Sequence, residues 1–485
     1  MMQLKVHGFI IIVLMCCIVA LAGRKARASD PSLGRYSDDP SNVLWFIQIS
    51  DAHIDTTFSA SEELKLEWSL TQAVDVIDPL FVTLTGDITD STNGVIYGFG
   101  PYNEEWEKYR NIVDSADMTA DFCYDLPGNH DAYGDENASY YLEWSVQGST
   151  QDTTQPHWRF DLPFGSYHFV GVATPCNDWL QWPFDNTEIS DDEVAELQAN
   201  LEANADSTLT IAMGHHEYEI AAGGGDLDEL FAAYGVPYYI HGHKHDYRAK
   251  VSTNGIVVQR IDSLGQSEGN NFCVHALDNN CISHSCVKAT DAWPMVVITA
   301  PVDARLDNDD NVENPYARSV PTTCTEAPVR ALVFDSVFIG TVTYWWDTGA
   351  AGPMYESDEI PAQFAGTFDA TPFSPGVHTL NIEAIGSSTR DYTIQVLFED
   401  RPCDVSEDPH PDDDMEDAAE DVAEEAEEDF EAEPETPPET QPDAMQDPST
   451  PDVDVDAGHD AEEETDDFDI GGEISGGGCS CKVSR

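Results

Sequence analysis

Positive charge is scarce in this chain: 21 Lys and Arg stand against 92 Asp and Glu in 485 residues, a formal charge of −71. Such a polyanion repels phosphate backbones and anionic headgroups at long range, which argues against nucleic acid and acidic membranes as partners. A small phosphorylated ligand is still admissible if metal ions supply positive charge locally. Long apolar runs are also lacking. The one of note, Phe9 to Ala22, falls short of the roughly 20 residues that a membrane span needs. Lys5 and His7 precede it and Ala26-Arg27-Ala28 follows, so it reads as an export signal cleaved after Ala28, leaving no transmembrane helix in the mature chain. Zinc-finger spacing is missing among the 11 cysteines. Export makes disulfides feasible, and Cys281 and Cys286 are near enough in sequence to staple a local loop, although pairing is not readable from spacing. Finally, Asp404 to Glu473 holds 32 acidic residues and no Lys or Arg. That stretch cannot bury enough apolar surface to offset its ordering entropy and reads as a disordered, solvating tail.

What is present suffices for packed domains. The chain is 41% hydrophobic and 10% aromatic, and its length suits two to three cores. From Asn42 to about Ala289 strands and helices alternate. Val43 to Ile49 is a nearly continuous apolar strand, a helical stretch covers Glu62 to Ile77, and short strands end at Thr85, Leu126, Met213 and Ile240. Ser190-Asp191-Asp192-Glu193 forms a capping box ahead of a helix reaching Leu201. Past Trp293 the signal turns to strands with little helix, about one hundred residues suited to an immunoglobulin-like β-sandwich. Asp307 to Asn311 lacks the glycine of a calcium loop and reads as a solvated polar loop. The expected organisation is a signal peptide (1–28), a linker (29–41), an α/β domain (42–290), a β-sandwich (291–402), an acidic disordered tail (403–473) and a Gly/Cys tag (474–485). That tag, Gly-Gly-Gly-Cys479-Ser-Cys481, resembles those ending some surface-sorted bacterial proteins and suggests cell-surface attachment.

The chemistry sits at strand ends. Val43–Ile49 runs into Ser50-Asp51-Ala52-His53, and Leu80–Thr85 into Gly86-Asp87-Ile88-Thr89-Asp90. Phe122–Leu126 leads into Pro127-Gly128-Asn129-His130-Asp131, Leu209–Met213 into Gly214-His215-His216, and Val236–Ile240 into His241-Gly242-His243-Lys244-His245. Open α/β sheets place their ligand sites at this carboxyl edge. Each motif alone is weak, since a lone histidine more often serves structure than chemistry. Five together, in this order, leave little room for coincidence.

In that order the motifs resemble those of the calcineurin-like metallophosphoesterase superfamily, over about Val43 to Tyr247. The resemblance implies a four-layer α/β/β/α sandwich holding two metal ions. By it, Asp51, His53 and His245 hold the first metal, Asn129, His215 and His243 the second, and Asp87 bridges both. His130 is then the proton donor or charge stabiliser beside the substrate, oriented by Asp131. Asp90 stands where purple acid phosphatases carry tyrosine, which disfavours the tyrosinate–iron variant. His216 and His241 flank ligands as supporting or accidental residues.

Phosphate ester hydrolysis needs a strong oxygen nucleophile and neutralised phosphoryl charge, and a metal pair supplies both by acidifying a bridging water and clamping substrate oxygens. A carboxylate can span two cations while imidazoles fill terminal positions, a donor set suited to manganese, iron or zinc. The expectation is therefore an exported (periplasmic, cell-surface or extracellular) dinuclear phosphoesterase acting on small phosphorylated substrates. The alternatives are a nuclease or cyclic-nucleotide diesterase of the same superfamily, for which no basic groove is visible, and a non-catalytic surface binding protein with structural metals.

Overall fold

Side chains of an extended strand alternate between faces, and the first strand feeds two different cores in this way. Its Ile47 and Ile49 pack with helices on one side, whereas Leu44 and Phe46 enter an aromatic layer on the other. The computed structural model describes residues 34–57, 60–92, 100–135, 137–174, 189–218, 227–307 and 312–406. The segment read as an export signal (1–28), the tail beyond 406, the 474–485 tag, Gly223 to Gly225 and positions 308–311 lie outside the described residues.

The strands of the α/β part are, in chain order, β1 (Val43–Ile49), β2 (Val82–Thr85), β3 (Cys123–Leu126), β4 (His157–Leu162), β5 (Gly165–Val172), β6 (Leu209–Gly214), β7 (Tyr238–His241), β8 (Arg248–Val251), β9 (Val257–Arg260), β10 (Phe272–Asp278) and β11 (Cys281–Val287). They form a sheet ordered β11-β10-β1-β2-β3 and another ordered β4-β5-β6-β7-β9-β8. Strands β1, β2 and β3 run parallel, as do β5, β6, β7 and β9, so the carboxyl ends within each set share one edge.

Helices α1 (Ala60–Leu70), α2 (Gln72–Ile77) and α3 (Asn103–Ser115) cover the first sheet, burying Leu66, Trp106 and Tyr109 against Ile47 and Val82. Short helices α4 (Asn129–Ala132), α5 (Ser139–Trp144) and α6 (Val146–Gln151) follow β3. Helices α7 (Asp191–Ala203) and α8 (Leu227–Ala233) cover the second sheet through Leu197, Leu201 and Phe231. Between the sheets lie Phe46, Phe81, Tyr124, Trp158 and Phe169, with Tyr124 stacked on Trp158 at 4.0 Å. The layers are thus α/β/β/α.

Differences from the sequence reading have local causes. The helix expected over Glu62–Ile77 breaks at Thr71, whose hydroxyl donates to the Glu67 carbonyl (2.6 Å) and whose ψ of −84° leaves the helical path. The Ser190 capping box is present, Ser190 Oγ accepting from the Glu193 amide. Cys286 pairs with Cys273 rather than with Cys281. The β10–β11 register sets Cys273 opposite Cys286, whereas five residues of extended strand carry Cys281 about 17 Å from Cys286. Cys281 and Cys123 are free and buried.

The all-β region comprises β12 (Met295–Ala300), β13 (Arg305–Asp307), β14 (Val312–Glu313), β15 (Val320–Pro321), β16 (Ala327–Phe334), β17 (Thr341–Trp346), β18 (Gly352–Glu356), β19 (Gln363–Phe368), β20 (Gly376–Ile385) and β21 (Thr389–Glu399). Eight of these form one ladder, β12-β16-β19-β18-β17-β20-β21-β15, which closes over a shared core because Val329 and Ala331 of β16 pack in the same cluster as Leu380 and Ile382 of β20. A disulfide joins Cys324 to Cys403. Within the segment read as a linker, Tyr36 is buried in this core and donates to the Pro328 carbonyl at 2.6 Å.

Candidate metal centre

The backbone reveals the site before the side chains do. Asp51, His53, Asp87, His243 and His245 all have φ between 49° and 84°, a left-handed conformation that costs non-glycine residues energy and persists only where surroundings impose it. The imposition is visible. The Asp51 and His53 amides donate to the Gly86 and Asp87 carbonyls (2.9 and 3.0 Å), and the His243 amide donates to both Asp51 oxygens (3.1 and 3.0 Å). Two glycines permit this closeness. A Cβ on Gly242 would fall 1.9 Å from Ser50 Oγ and 2.2 Å from Asp51 Oδ2, and Gly86 has a φ of 91° with the His215 ring 2.4 Å from its missing Cβ.

Asp51 and Asp87 are almost fully buried, at 0% and 1% exposure, and their ion-pair partners among the described residues are histidines alone. His245 Nε2 lies 3.2 Å and His53 Nε2 3.9 Å from Asp51 Oδ1, and these two ring nitrogens are 3.1 Å apart. On the other side His215 Nε2 lies 3.1 Å from both Asp87 Oδ2 and Asn129 Oδ1. Asp87 Oδ2 also stands 3.8 Å from His53 Nε2 and 3.9 Å from His130 Nε2, between the two sets. Asp51, His53 and His245 form one group of ligand atoms within 4.8 Å of one another; Asp51, Asp87 and His215 form a second, and His215, His216 and His243 a third. The structure thus brings together Asp51, His53, Asp87, Asn129, His130, His215, His243 and His245.

Donor orientation suits metal ions. A backbone carbonyl only accepts, so the 2.8 Å contact between His215 Nδ1 and the Thr85 oxygen puts the proton on Nδ1 and turns the Nε2 lone pair inward. His53 Nδ1 faces Asp90 Oδ1 at 3.5 Å. Imidazoles that ligate metals are held from behind in this manner. Electrostatics agree. Burial opposes charge on His215, yet the Asp87 and Asp51 carboxylates raise it to about 9, so protons occupy the place where a cation's charge is wanted. For Asp51 burial likewise raises, but His215 and His245 prevail and bring it to about 2.

One flanking residue differs from its expected role. Asp131 does not reach the His130 ring. Its oxygens accept from the Ile88, Thr89 and Gly128 amides (3.1, 2.9 and 2.8 Å) and the Thr89 hydroxyl (3.0 Å), lashing the Asp87 loop to the Asn129 loop. The reason is position: three residues past Gly128, its carboxylate closes a capping box on its own helix. His130 is held by Asp90 instead, Nδ1 donating to that carbonyl at 2.5 Å. His216, read as a flanking residue, enters the histidine cluster with its ring 4.2 Å from that of His243; Thr174 Oγ1 lies 3.0 Å from its Nδ1, and its buried Nε2 has no hydrogen-bond partner.

Sequence reasoning missed Tyr133. Asn129 Nδ2 donates to its hydroxyl (2.9 Å), which aims Asn129 Oδ1 at His215, and its ring lies 4.7 Å from that of His130. The four-residue spacing from Asn129 on a helical turn was the available signal. Tyr133→Phe should weaken metal binding about tenfold, a typical effect of removing a supporting contact; titration of the metal-free protein checks it, and an unchanged affinity would remove Tyr133 from the site.

Glu105 lies beneath the Asp90 turn, fully buried, accepting from the Ser91 amide at 2.9 Å. Burial, reinforced by Asp90 and Asp55, pushes its carboxyl up to about 8. A folded-state value above the unfolded one means its stability contribution is complete below about pH 4.5 and declines as pH rises through 8. Glu105→Gln should therefore match the parent near pH 5 and exceed its stability near pH 9 by roughly 2 kcal/mol; denaturation curves at both pH values that shift equally would contradict this.

Two open-edged sheets under helices thus carry a carboxylate between clustered imidazoles at their strand ends. Residues 44–247 match the calcineurin-like phosphoesterase family, and this part of the chain is a domain of that family. Transmembrane protein 62 of Mus musculus is 25% identical over 398 residues, covering 80% of this chain and 59% of its own length. An Arabidopsis thaliana protein named as a metallophosphoesterase is 22% identical, covering 48% of this chain and 34% of its own. Among solved structures, a dimetal phosphatase from Danio rerio shares 14% identity at a TM-score of 0.39, covering 52% of this chain and 98% of that one. A 5′-nucleotidase from Candida albicans shares 12% at 0.35, covering 53% of each chain.

Proposed function

We propose that the chain is an exported, two-metal phosphoesterase that hydrolyses small phosphate esters. The observation carrying this reading is Asp87 Oδ2, a buried carboxylate oxygen 3.1 Å from His215 and 3.8 Å from His53, one imidazole from each ligand set. Asp51, His53 and His245 would hold one ion, Asn129, His215 and His243 the other, with Asp87 between them. Oxygen and imidazole donors in this mixture suit manganese, iron or zinc. Bound there, the ions would acidify a water and neutralise phosphoryl charge. His130 supplies what remains: with Nδ1 committed to the Asp90 carbonyl and its side chain one-fifth exposed, Nε2 faces the site and, when the ring carries both protons, gives one to the departing alkoxide.

Residues 42–290 form the catalytic domain and 291–402 an immunoglobulin-like domain in this reading. The strand order supports the latter, since β12-β16-β19-β18 followed by β17-β20-β21 reproduces the ABED and CFG arrangement of such sandwiches. The Cys273–Cys286 and Cys324–Cys403 disulfides favour an oxidising compartment, and the Gly/Cys tag a surface attachment. Among the described residues no helix is long and apolar enough to cross a membrane.

The test is chelation followed by readdition of manganese, iron or zinc, with a phosphomonoester and a phosphodiester assayed in parallel. Activity should vanish and return with the metal, and His130→Ala should keep its metals while losing at least about 100-fold in kcat. Activity that survives chelation, or an unimpaired His130→Ala enzyme, would refute the proposal.

A further inference from the structure

A cavity of about 270 Å³, bordered by none of the candidate metal ligands, lies between the α/β part and the all-β region. Its walls come from β11, β12, β21 and the Val302–Leu306 segment. Both β11 and β12 are terminal strands of their ladders, and they are not paired with each other. The seam therefore presents backbone donors and acceptors of two sheet edges alongside side chains.

Three features of this seam point to an occupant. Ser283 is only 7% exposed, lines the cavity, and its hydroxyl has no hydrogen-bond partner. A buried hydroxyl gives up its water contacts at a net loss unless something in the cavity replaces them. Asp303 accepts both the Arg305 and Gln395 amides on a single oxygen, Oδ1 (2.9 and 3.0 Å), which leaves Oδ2 for the cavity. Positive charge, in contrast, is already spent: the Arg305 guanidinium is paired with Glu313 at 3.1 Å. Tyr392 commits its hydroxyl to the Pro294 carbonyl, so it and Ile298 and Ile394 offer apolar contact surface.

We propose that this cavity binds a small, uncharged, polyhydroxylated molecule of monosaccharide or polyol size. Vicinal hydroxyls donate to Asp303 Oδ2 and exchange hydrogen bonds with Ser283 Oγ, while the carbon face of the ligand lies on Tyr392 and Ile394. An anion is disfavoured by the Asp303 carboxyl, and a bare metal ion by the want of a second carboxylate among the lining residues. Domain junctions are common places for such sites, and the dimensions approach those of small-ligand pockets.

The experiment is calorimetric titration of the full chain with glycerol, myo-inositol, glucose, galactose and mannose, with glucuronate as the charged comparator. At least one neutral probe should bind one-to-one below about 50 mM, and Ser283→Val should weaken it about tenfold, a change of 1.4 kcal/mol. Asp303→Asn should weaken the same probe several-fold, and Ser283→Ala serves if the valine variant does not fold. Failure of every neutral probe to bind, stronger binding of glucuronate, or binding unchanged in both the Ser283 and Asp303 variants would overturn the proposal and leave the seam filled by water only.

Discussion

Asp87→Asn should lower kcat/KM by on the order of 10³–10⁴-fold, about 4–6 kcal/mol of transition-state stabilisation. The substitution is nearly isosteric and the fold should survive it, because Asp87 Oδ1 accepts the His130 amide (2.8 Å) and an asparagine oxygen does so equally well. What is lost is the negative charge on Oδ2 and its capacity to serve two cations at once. An amide NH₂ in that place would point donors at positions 3.1 Å from His215 Nε2 and 3.8 Å from His53 Nε2, where lone pairs are needed. Metal content should fall from two per chain to one or fewer. A variant that keeps both ions and full turnover would show that Asp87 bridges nothing.

The second large effect concerns the joint between the two parts of the chain. Arg330 of β16 and Asp278 of β10 are both buried and form a two-pronged pair, Nε and Nη2 donating to the two carboxylate oxygens at 2.8 Å each. Arg330 Nη1 also donates to the Ser37 carbonyl (2.7 Å), and Thr299 Oγ1 donates to Asp278 (2.8 Å), so four separate segments meet at one ion pair. Removing one partner strands a charge in a dry interior. Arg330→Met should destabilise the protein by about 3–5 kcal/mol, whereas adding Asp278→Leu should recover most of that loss, because an apolar replacement of the whole pair costs little. Chemical denaturation of the three proteins measures this; a single variant costing under about 1 kcal/mol would mean that the pair is not shielded from water.

These two sites differ in how far the sequence disclosed them. Asp51, Asp87, Asn129, His215 and His243 each follow an apolar strand within a few residues, and parallel strands bring such ends to one edge whatever the intervening loops do. That regularity makes the centre legible in one dimension. Side chains acting from behind follow no such rule. Asp90 faces His53 and His130 from the same motif, but Asp131 is diverted to three backbone amides by its place in a helical turn. Tyr133 was visible only to someone asking what fixes the Asn129 amide.

The fold shows the same division. The apolar run Val43–Ile49 betrayed a strand buried on both faces, and the strand-rich composition beyond Trp293 betrayed an all-β region. The hairpin β4–β5, the pairing of Cys273 with Cys286 and the Asp278–Arg330 joint depend on registers between strands. Register is set by which faces become buried together, a property of the assembled sheets rather than of any local run of residues.

Anomalous diffraction from metal-loaded crystals addresses the two-ion centre directly. Two peaks about 3.5–4 Å apart, one on each side of Asp87 Oδ2, are predicted, the first within reach of Asp51, His53 and His245 and the second of Asn129, His215 and His243. A single peak, or peaks away from Asp87, would contradict it.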